Sequence, residues 1–338
     1  MARTTKIEFT SRSEYALRTQ KQFDQFGFPF TLNPTVGCSF TCKYCYSPIF
    51  VAKVDIGKRK QFFENIRVKL DLPTLLDKQL TKLNGLPQHL KRVQINETSD
   101  YYLPKVIREL KTRNRDTMLE ILNVFEKHAS MGNVWMLHIL TKSNLILNHL
   151  ATYKQMREMV QIEISFATHD ENIRNQIEFY TIPTQERLKV IEKFAANDIF
   201  VRTMAMPFYG YAKDLQILKE QTFNAGASAF KNKSINYFDW NQLKALTYTE
   251  LVDDKVDRIS GRPDHMDLNY VIKSGESVLV NGQPQTMNLE MPISKIKNVK
   301  LQDWAIPSKL STRIKPAAVS KIDCGYSQIS KVNWGYIV

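Results

Sequence analysis

Asn33-Pro34-Thr35-Val36-Gly37-Cys38-Ser39-Phe40-Thr41-Cys42-Lys43-Tyr44-Cys45-Tyr46 places three thiols at Cys-x3-Cys-x2-Cys, directly after the apolar run Phe28 to Leu32. Three thiolates in one tight loop can hold three irons of a four-iron four-sulfur (4Fe-4S) cubane, leaving the fourth iron without a protein ligand. An iron left open in this way can bind a cofactor or a substrate. A structural zinc site, the plainer reading of clustered cysteines, is closed by four protein ligands. No neighbouring Cys or His supplies the fourth, since His128 and His138 lie far along the chain and Cys324 farther still. Nor is this spacing a disulfide framework. The expected metal ligands are therefore Cys38, Cys42 and Cys45.

Beyond this loop, apolar runs rich in β-branched and aromatic residues alternate with stretches of helical periodicity, the pattern of βα units in a parallel sheet. The strand candidates are Phe28 to Leu32, Val93 to Asn96, Val134 to Leu140, Gln161 to Ala167, Phe200 to Met206 and Ser234 to Phe238. Helices are predicted over Thr117 to Ala129 and Pro183 to Ala196, the second with Thr184 as N-cap and Glu186 in its first turn. Six strands with crossover helices predict an α/β fold, a partial (β/α)6 TIM-type barrel over residues 28–240, preceded by an N-terminal extension, 1–27. Functional residues of such barrels gather at the C-terminal ends of the strands, and the cysteine loop falls at such a place. After Trp240, Gly275, Gly282, Pro284, Pro292 and Pro307 punctuate short segments such as Ser277 to Val280, which reads as a small C-terminal appendage, 241–338.

The chain has 338 residues, 43% hydrophobic and 11% aromatic. No stretch approaches the roughly 20 apolar residues that span a bilayer, and the first 22 residues carry no signal-peptide pattern, so a cytoplasmic protein without membrane association is expected. Lys and Arg outnumber Asp and Glu by 47 to 34, a net charge of +13. Such an excess favours anionic partners, DNA or RNA first among them; a basic solubility surface is the plainer alternative. The richest stretches are Lys53, Lys58, Arg59, Lys60, Arg67 and Lys69, and Lys295, Lys297, Lys300, Lys309, Arg313 and Lys315. Either suits a phosphate-binding groove.

The cysteine spacing, with Tyr44 before the third thiol, resembles the signature of the radical S-adenosylmethionine superfamily. That resemblance implies a barrel of the radical S-adenosylmethionine type, with a 4Fe-4S cluster and S-adenosylmethionine as cofactors. It also implies a flavodoxin- or ferredoxin-like electron donor, and reductive cleavage to a 5'-deoxyadenosyl radical that abstracts hydrogen from a substrate. Over residues 28–240 the chain resembles more closely the spore photoproduct lyase and DNA repair photolyase-like branch. The residues that carry this are Asn33-Pro34, Gly37, Tyr44-Cys45-Tyr46, Thr98-Ser99-Asp100, Thr141-Lys142-Ser143, Ser165, and Glu178 with Arg187 and Leu188.

The branch implies that Lys142 pairs with the cofactor's carboxylate and that Ser99 and Ser165 contact its ribose or amino group. Tyr44 would cover the adenine, Tyr46 would lie on a hydrogen-transfer route, and Glu178 with Arg187 would form a buried ion pair. The blander roles are a surface lysine, turn serines and packing aromatics. Spore photoproduct lyases carry a cysteine immediately before the Thr-Ser-Asp-like stretch, where this chain has Glu97. A carboxylate does not donate a hydrogen atom as a thiol does, so Glu97 is expected to face the substrate as an acid, a base or a hydrogen-bond partner. Cys324 is the candidate replacement thiol if the appendage folds over the barrel mouth. Ser99-Asp100-Tyr101-Tyr102-Leu103-Pro104 also departs from the branch's common Thr-Asp-Pro-Tyr-Gln-Pro, which implies an altered substrate pocket. The leading expectation is radical chemistry on a nucleic acid or nucleotide. A small-metabolite or peptide substrate, and a non-enzymatic iron-sulfur protein that binds nucleic acid or senses redox state, are the competing readings.

Overall fold

The computed structural model describes residues 5–19, 29–50, 59–86, 91–209, 212–233, 268–272, 277–280 and 283–286. Its strands begin with β1 (Lys6–Thr10), β2 (Arg18–Thr19), β3 (Phe30–Leu32), β4 (Thr35–Val36), β5 (Asn65–Lys69), β6 (Arg92–Ile95) and β7 (Met136–Thr141). They continue with β8 (Val160–Phe166), β9 (Phe200–Ala205), β10 (Ala229–Lys233), β11 (Leu268–Ile272), β12 (Ser277–Val280) and β13 (Gln283–Thr286).

Six of these, β3, β6, β7, β8, β9 and β10, pair in parallel in that order. Short antiparallel partners, β2 and β11, flank them at the two edges. The sheet is open, as a partial (β/α)6 barrel requires. Five of the predicted strands fall within two residues of the observed ones. The sixth differs: the strand is Ala229–Lys233, and Ser234 to Phe238 lies outside the described residues. Its second half, Lys231-Asn232-Lys233, is polar, so no apolar run marks it.

The strands explain the cavity they surround. One set of alternate side chains, including Val93, Ile95, Leu137, Ile139, Ile162, Ile164 and Val201, is apolar and buried. The intervening set faces a cavity at the C-terminal ends and includes Gln94, Leu140, Glu163, Ser165 and Met204, as the two-residue period of a strand dictates. Register sets Gln94 beside His138 and Glu163 beside Arg202. Arg202 Nε donates to Glu163 Oε1 at 2.8 Å, with both side chains inside the barrel and at most 1% exposed.

Outside the sheet, the helix Leu72–Lys82 packs its buried Leu72, Leu76 and Leu80 against the helix Thr117–Ser130. Asp116 caps the latter by accepting from the Leu119 N–H. The helix Thr184–Ala195 packs on β8 and β9. Thr184 is not its N-cap as expected: Pro183 holds that position, and the Thr184 N–H is satisfied instead by the Glu171 carboxylate at 2.6 Å.

The segment expected as an N-terminal extension is woven into the fold. β1 pairs in parallel with β5, and β4 pairs with β5 from the other side. Ser13 donates twice to Asp71, and the Gln79 side chain accepts from the Ala16 and Leu17 N–H groups. From the expected appendage, β11 adds to the edge of β10, while Ser277–Val280 pairs with β13 as a hairpin. No helix among the described residues is long and apolar enough to cross a membrane.

Candidate functional site

A cavity of about 310 Å3 opens at the C-terminal ends of the parallel strands. Cys38, Cys42, Cys45, Tyr44, Tyr46, Glu97, Ser99, Lys142 and Ser165 all line it. Cys324 lies outside the described residues, as do Lys53, Lys58 and the basic stretch from Lys295 to Lys315.

The cysteine loop is held close to β5. Gly37 has φ +93°, and a methyl group there would lie 2.6 Å from the Asn65 carbonyl oxygen and 2.7 Å from that of Phe62. Only glycine permits both that backbone conformation and that approach. The loop then turns on itself, with Thr41 at φ +53° and the Cys45 N–H donating to the Cys42 carbonyl at 3.0 Å. The Lys43 N–H anchors it to the Ile177 carbonyl at 2.9 Å.

All three thiols are free of disulfides. Burial, reinforced by the Asp100 carboxylate, pushes Cys38 well above the usual thiol range. Burial and the Glu178 charge push Cys42 up to about 12, against the opposing pull of Lys142. Among the described residues, no three His, Cys, Asp or Glu side chains are arranged to grip a single metal ion. A cubane makes a different demand, because each thiolate binds its own iron and the sulfurs stand apart around the cluster. Three thiols lining one cavity at the mouth of a barrel fit that demand.

Against the loop, one buried acid organises the charges. Glu178 has no solvent exposure and takes Arg187 Nη2 on Oε2 at 2.6 Å and Lys142 Nζ on Oε1 at 3.1 Å. The Tyr44 hydroxyl donates to the same Oε1. Burial alone would raise its pKa, but Arg187, Lys142 and the Tyr44 hydroxyl outweigh that and hold it down to about 2. Lys142 also donates to the Ser165 hydroxyl and stands over the Tyr44 ring, 5.7 Å from its centroid. Arg187 Nη1 meanwhile ties the Ser165 carbonyl at 2.8 Å. The sequence-derived ion pair of Glu178 and Arg187 is thus present, and it carries Lys142 and Tyr44 with it. The Tyr44 ring packs on Tyr209, 5.4 Å between centroids.

Asp100 is the second buried acid. Its oxygens accept from the Thr141 hydroxyl, at 2.8 Å for the closer oxygen, and from the Lys142 and Tyr102 N–H groups, both at 2.9 Å. Burial raises its pKa, and these hydrogen bonds oppose the rise. Its role is to fix the backbone on which Lys142 stands. The Ser99 hydroxyl is engaged with Thr35, donating to its carbonyl at 2.7 Å and accepting from its hydroxyl at 2.9 Å. That pairing ties β4 to the end of β6. The Tyr46 hydroxyl lies 3.3 Å from the Glu97 carbonyl oxygen, so the two residues expected near the substrate are neighbours. Lys69, from the first basic stretch, is engaged within the fold. It is largely buried with its Nζ on the Asn33 carbonyl at 2.9 Å, and burial lowers its pKa to about 8.

Thr35, Gln94, Asn96, Glu163, Met204 and Met206 were not singled out from the sequence. Strand alternation is the signal that finds several of them, since Gln94, Glu163 and Met204 are the inward positions of runs read only as apolar.

No family model matches the chain. It is 25% identical over 221 residues to an uncharacterised protein of Methanocaldococcus jannaschii, covering 65% of this chain and 73% of that one. It is 24% identical over 197 residues to an uncharacterised protein of Acidianus two-tailed virus, covering 56% of this chain and 60% of that one. Among solved structures, a spore photoproduct lyase variant with bound S-adenosylmethionine and dinucleoside spore photoproduct superposes with a TM-score of 0.51 at 14% identity, covering 75% of this chain and 68% of that one. The chain spans 57% of a second spore photoproduct lyase structure. Six parallel strands in an open sheet, a cysteine loop after the first of them and this superposition together give the chain the radical S-adenosylmethionine type of fold, as found in spore photoproduct lyase.

Proposed function

We propose that this protein is an enzyme that cleaves S-adenosylmethionine reductively at a 4Fe-4S cluster held by Cys38, Cys42 and Cys45, and acts on a nucleic acid or nucleotide. The observation that carries this reading is the convergence of the three thiols with Lys142, Ser165 and Glu97 on one cavity at the strand ends. When bound, the cluster and S-adenosylmethionine supply an electron and a 5'-deoxyadenosyl radical able to take a hydrogen atom.

The chain's own residues bind and orient. An ammonium has three donors; Glu178 and Ser165 take two from Lys142, and the third suits the cofactor's carboxylate. Two cations around one carboxylate leave a net positive charge beside that position, which favours an anionic group. Tyr44, held by Glu178, presents its ring to the cavity wall. Glu97 replaces the thiol of spore photoproduct lyases, so it positions or exchanges a proton with the substrate and does not return a hydrogen atom. The +13 charge and the exposed Arg67 on β5, behind the cysteine loop, support an anionic polymer as substrate. The electron donor this reading requires is a flavodoxin- or ferredoxin-like protein.

The test is anaerobic purification, cluster reconstitution, and addition of reductant and S-adenosylmethionine, with 5'-deoxyadenosine measured by chromatography. Wild type should form it and a Cys42→Ala variant should not. In parallel, DNA and RNA affinity should fall roughly tenfold or more between about 50 and 200 mM salt. Cluster formation without any cleavage would reverse the enzymatic reading, and salt-independent or absent binding the nucleic-acid one.

A further inference from the structure

Asn96 directly follows β6 in the left-handed backbone region, φ +65°, immediately before Glu97. It is 3% exposed and lines the cavity, yet among the described residues neither its Nδ2 nor its Oδ1 has a hydrogen-bond partner. A buried polar group left unpaired is costly and rare in folded proteins. Asparagine is one of the few non-glycine residues that take this φ readily, but it does so with help from a local side-chain hydrogen bond, and here the carboxamide makes none among the described residues. The neighbouring inward residue on β6 is Gln94, and Glu163 lines the same cavity. Leu140, one position beyond the Ile95–Ile139 register pair, lines it too, so the surroundings of Asn96 are mixed and supply the amide no partner among the described residues.

A carboxamide presents one donor and one acceptor side by side. Its complement is a flat group that carries the reverse pair, and the edges of nucleobases are such groups. Resting on the nucleic-acid reading above, we propose that Asn96 is a specificity-determining residue that grips a nucleobase edge through both carboxamide atoms.

The experiment uses the full chain with its cluster reconstituted, under anaerobic conditions with S-adenosylmethionine present. Fluorescence anisotropy would follow single-stranded oligonucleotides that carry one adenine, cytosine, guanine or thymine among abasic sites, with a wholly abasic strand as reference. Two variants accompany wild type: Asn96→Gly, which suits the backbone and deletes the amide, and Asn96→Asp, which keeps the shape and replaces the donor with a second acceptor. Wild type should prefer at least one base-bearing strand over the abasic one by roughly tenfold. Both variants should bind all five strands alike, with iron content and helical circular dichroism unchanged. Retention of the preference in both variants overturns the proposal. So does a loss of S-adenosylmethionine affinity in the variants with base preference intact, which would assign the amide to the cofactor. If wild type binds all five strands equally and salt-dependently, the proposal falls while the nucleic-acid reading stands. If it binds none of them, both fall.

Discussion

The Nζ of Lys142 lies 3.1 Å from Oε1 of Glu178, an acid with no solvent exposure. The lysine expected to meet a cofactor is therefore fixed from below by a counter-ion shared with Arg187. A cation anchored in this way loses little side-chain freedom when a ligand arrives.

Replacing Lys142 tests that anchoring. Lys142→Met is expected to weaken S-adenosylmethionine binding to the cluster-loaded protein by roughly 10- to 100-fold, the range of a charge-assisted hydrogen bond. Titration calorimetry measures it. An unchanged affinity would remove Lys142 from the cofactor site.

Glu178 should make stability depend on acid pH. Its folded pKa of about 2 lies below the ordinary 4.5, so the stability it contributes is complete above about pH 4.5 and is lost as pH falls toward 2. A shift of this size corresponds to something on the order of 3 kcal/mol. Glu178→Gln should flatten that stretch of the stability profile. It should also cost about 3–5 kcal/mol at neutral pH, because two buried cations lose their counter-charge. Urea midpoints at about pH 6, 4 and 3 decide the matter, and a Gln variant that keeps the steep acid loss would refute it.

Gly37→Ala should separate folding of the barrel from assembly of the thiol loop. The added methyl meets two backbone oxygens that have no flexible end to swing away, at a cost of about 1–3 kcal/mol of strain. Iron bound per chain after reconstitution should fall sharply while the helical circular dichroism persists. Full iron loading would show that the loop relaxes at no cost.

The pair of Glu163 and Arg202 inside the barrel offers a cycle. Glu163→Leu alone should destabilise by about 3–5 kcal/mol, and the double change Glu163→Leu with Arg202→Met by much less than the sum of the two single changes. Chemical denaturation of the four proteins checks this; additive losses would mean that the two charges act independently.

What the sequence made legible follows from how each signal arises. Cys38, Cys42 and Cys45 carry their chemistry in their spacing, and the first five parallel strands announce themselves by apolar residues that must leave water. Lys142 and Ser165 were reachable because polar residues that end apolar runs stand at a barrel's mouth. Asn96 and Glu163 were not, since a single polar residue inside a β-branched run looks like noise until the alternate positions are known to face a cavity. The sixth strand was misplaced for a related reason: its polar half gives no apolar run to read. The N-terminal segment escaped altogether, because β1 pairs with a strand 59 positions further on, Lys6 with Asn65, and pairing at that distance leaves no local trace.

That last pairing also encloses the thiols. Parallel association of Lys6–Thr10 with Asn65–Lys69 closes a long stretch of chain, and Cys38, Cys42 and Cys45 all lie within it, with Gly37 pressed against the returning strand. Closure costs entropy that rises only slowly with length, so docking of the first strand and ordering of the thiol loop share one cost. Anything that binds the folded thiols then stabilises the closed form by mass action. Amide hydrogens along residues 6–10, which take no part in the cavity, should exchange more slowly once the thiols are occupied. The N-terminal strand becomes a remote reporter of whether the barrel mouth is filled.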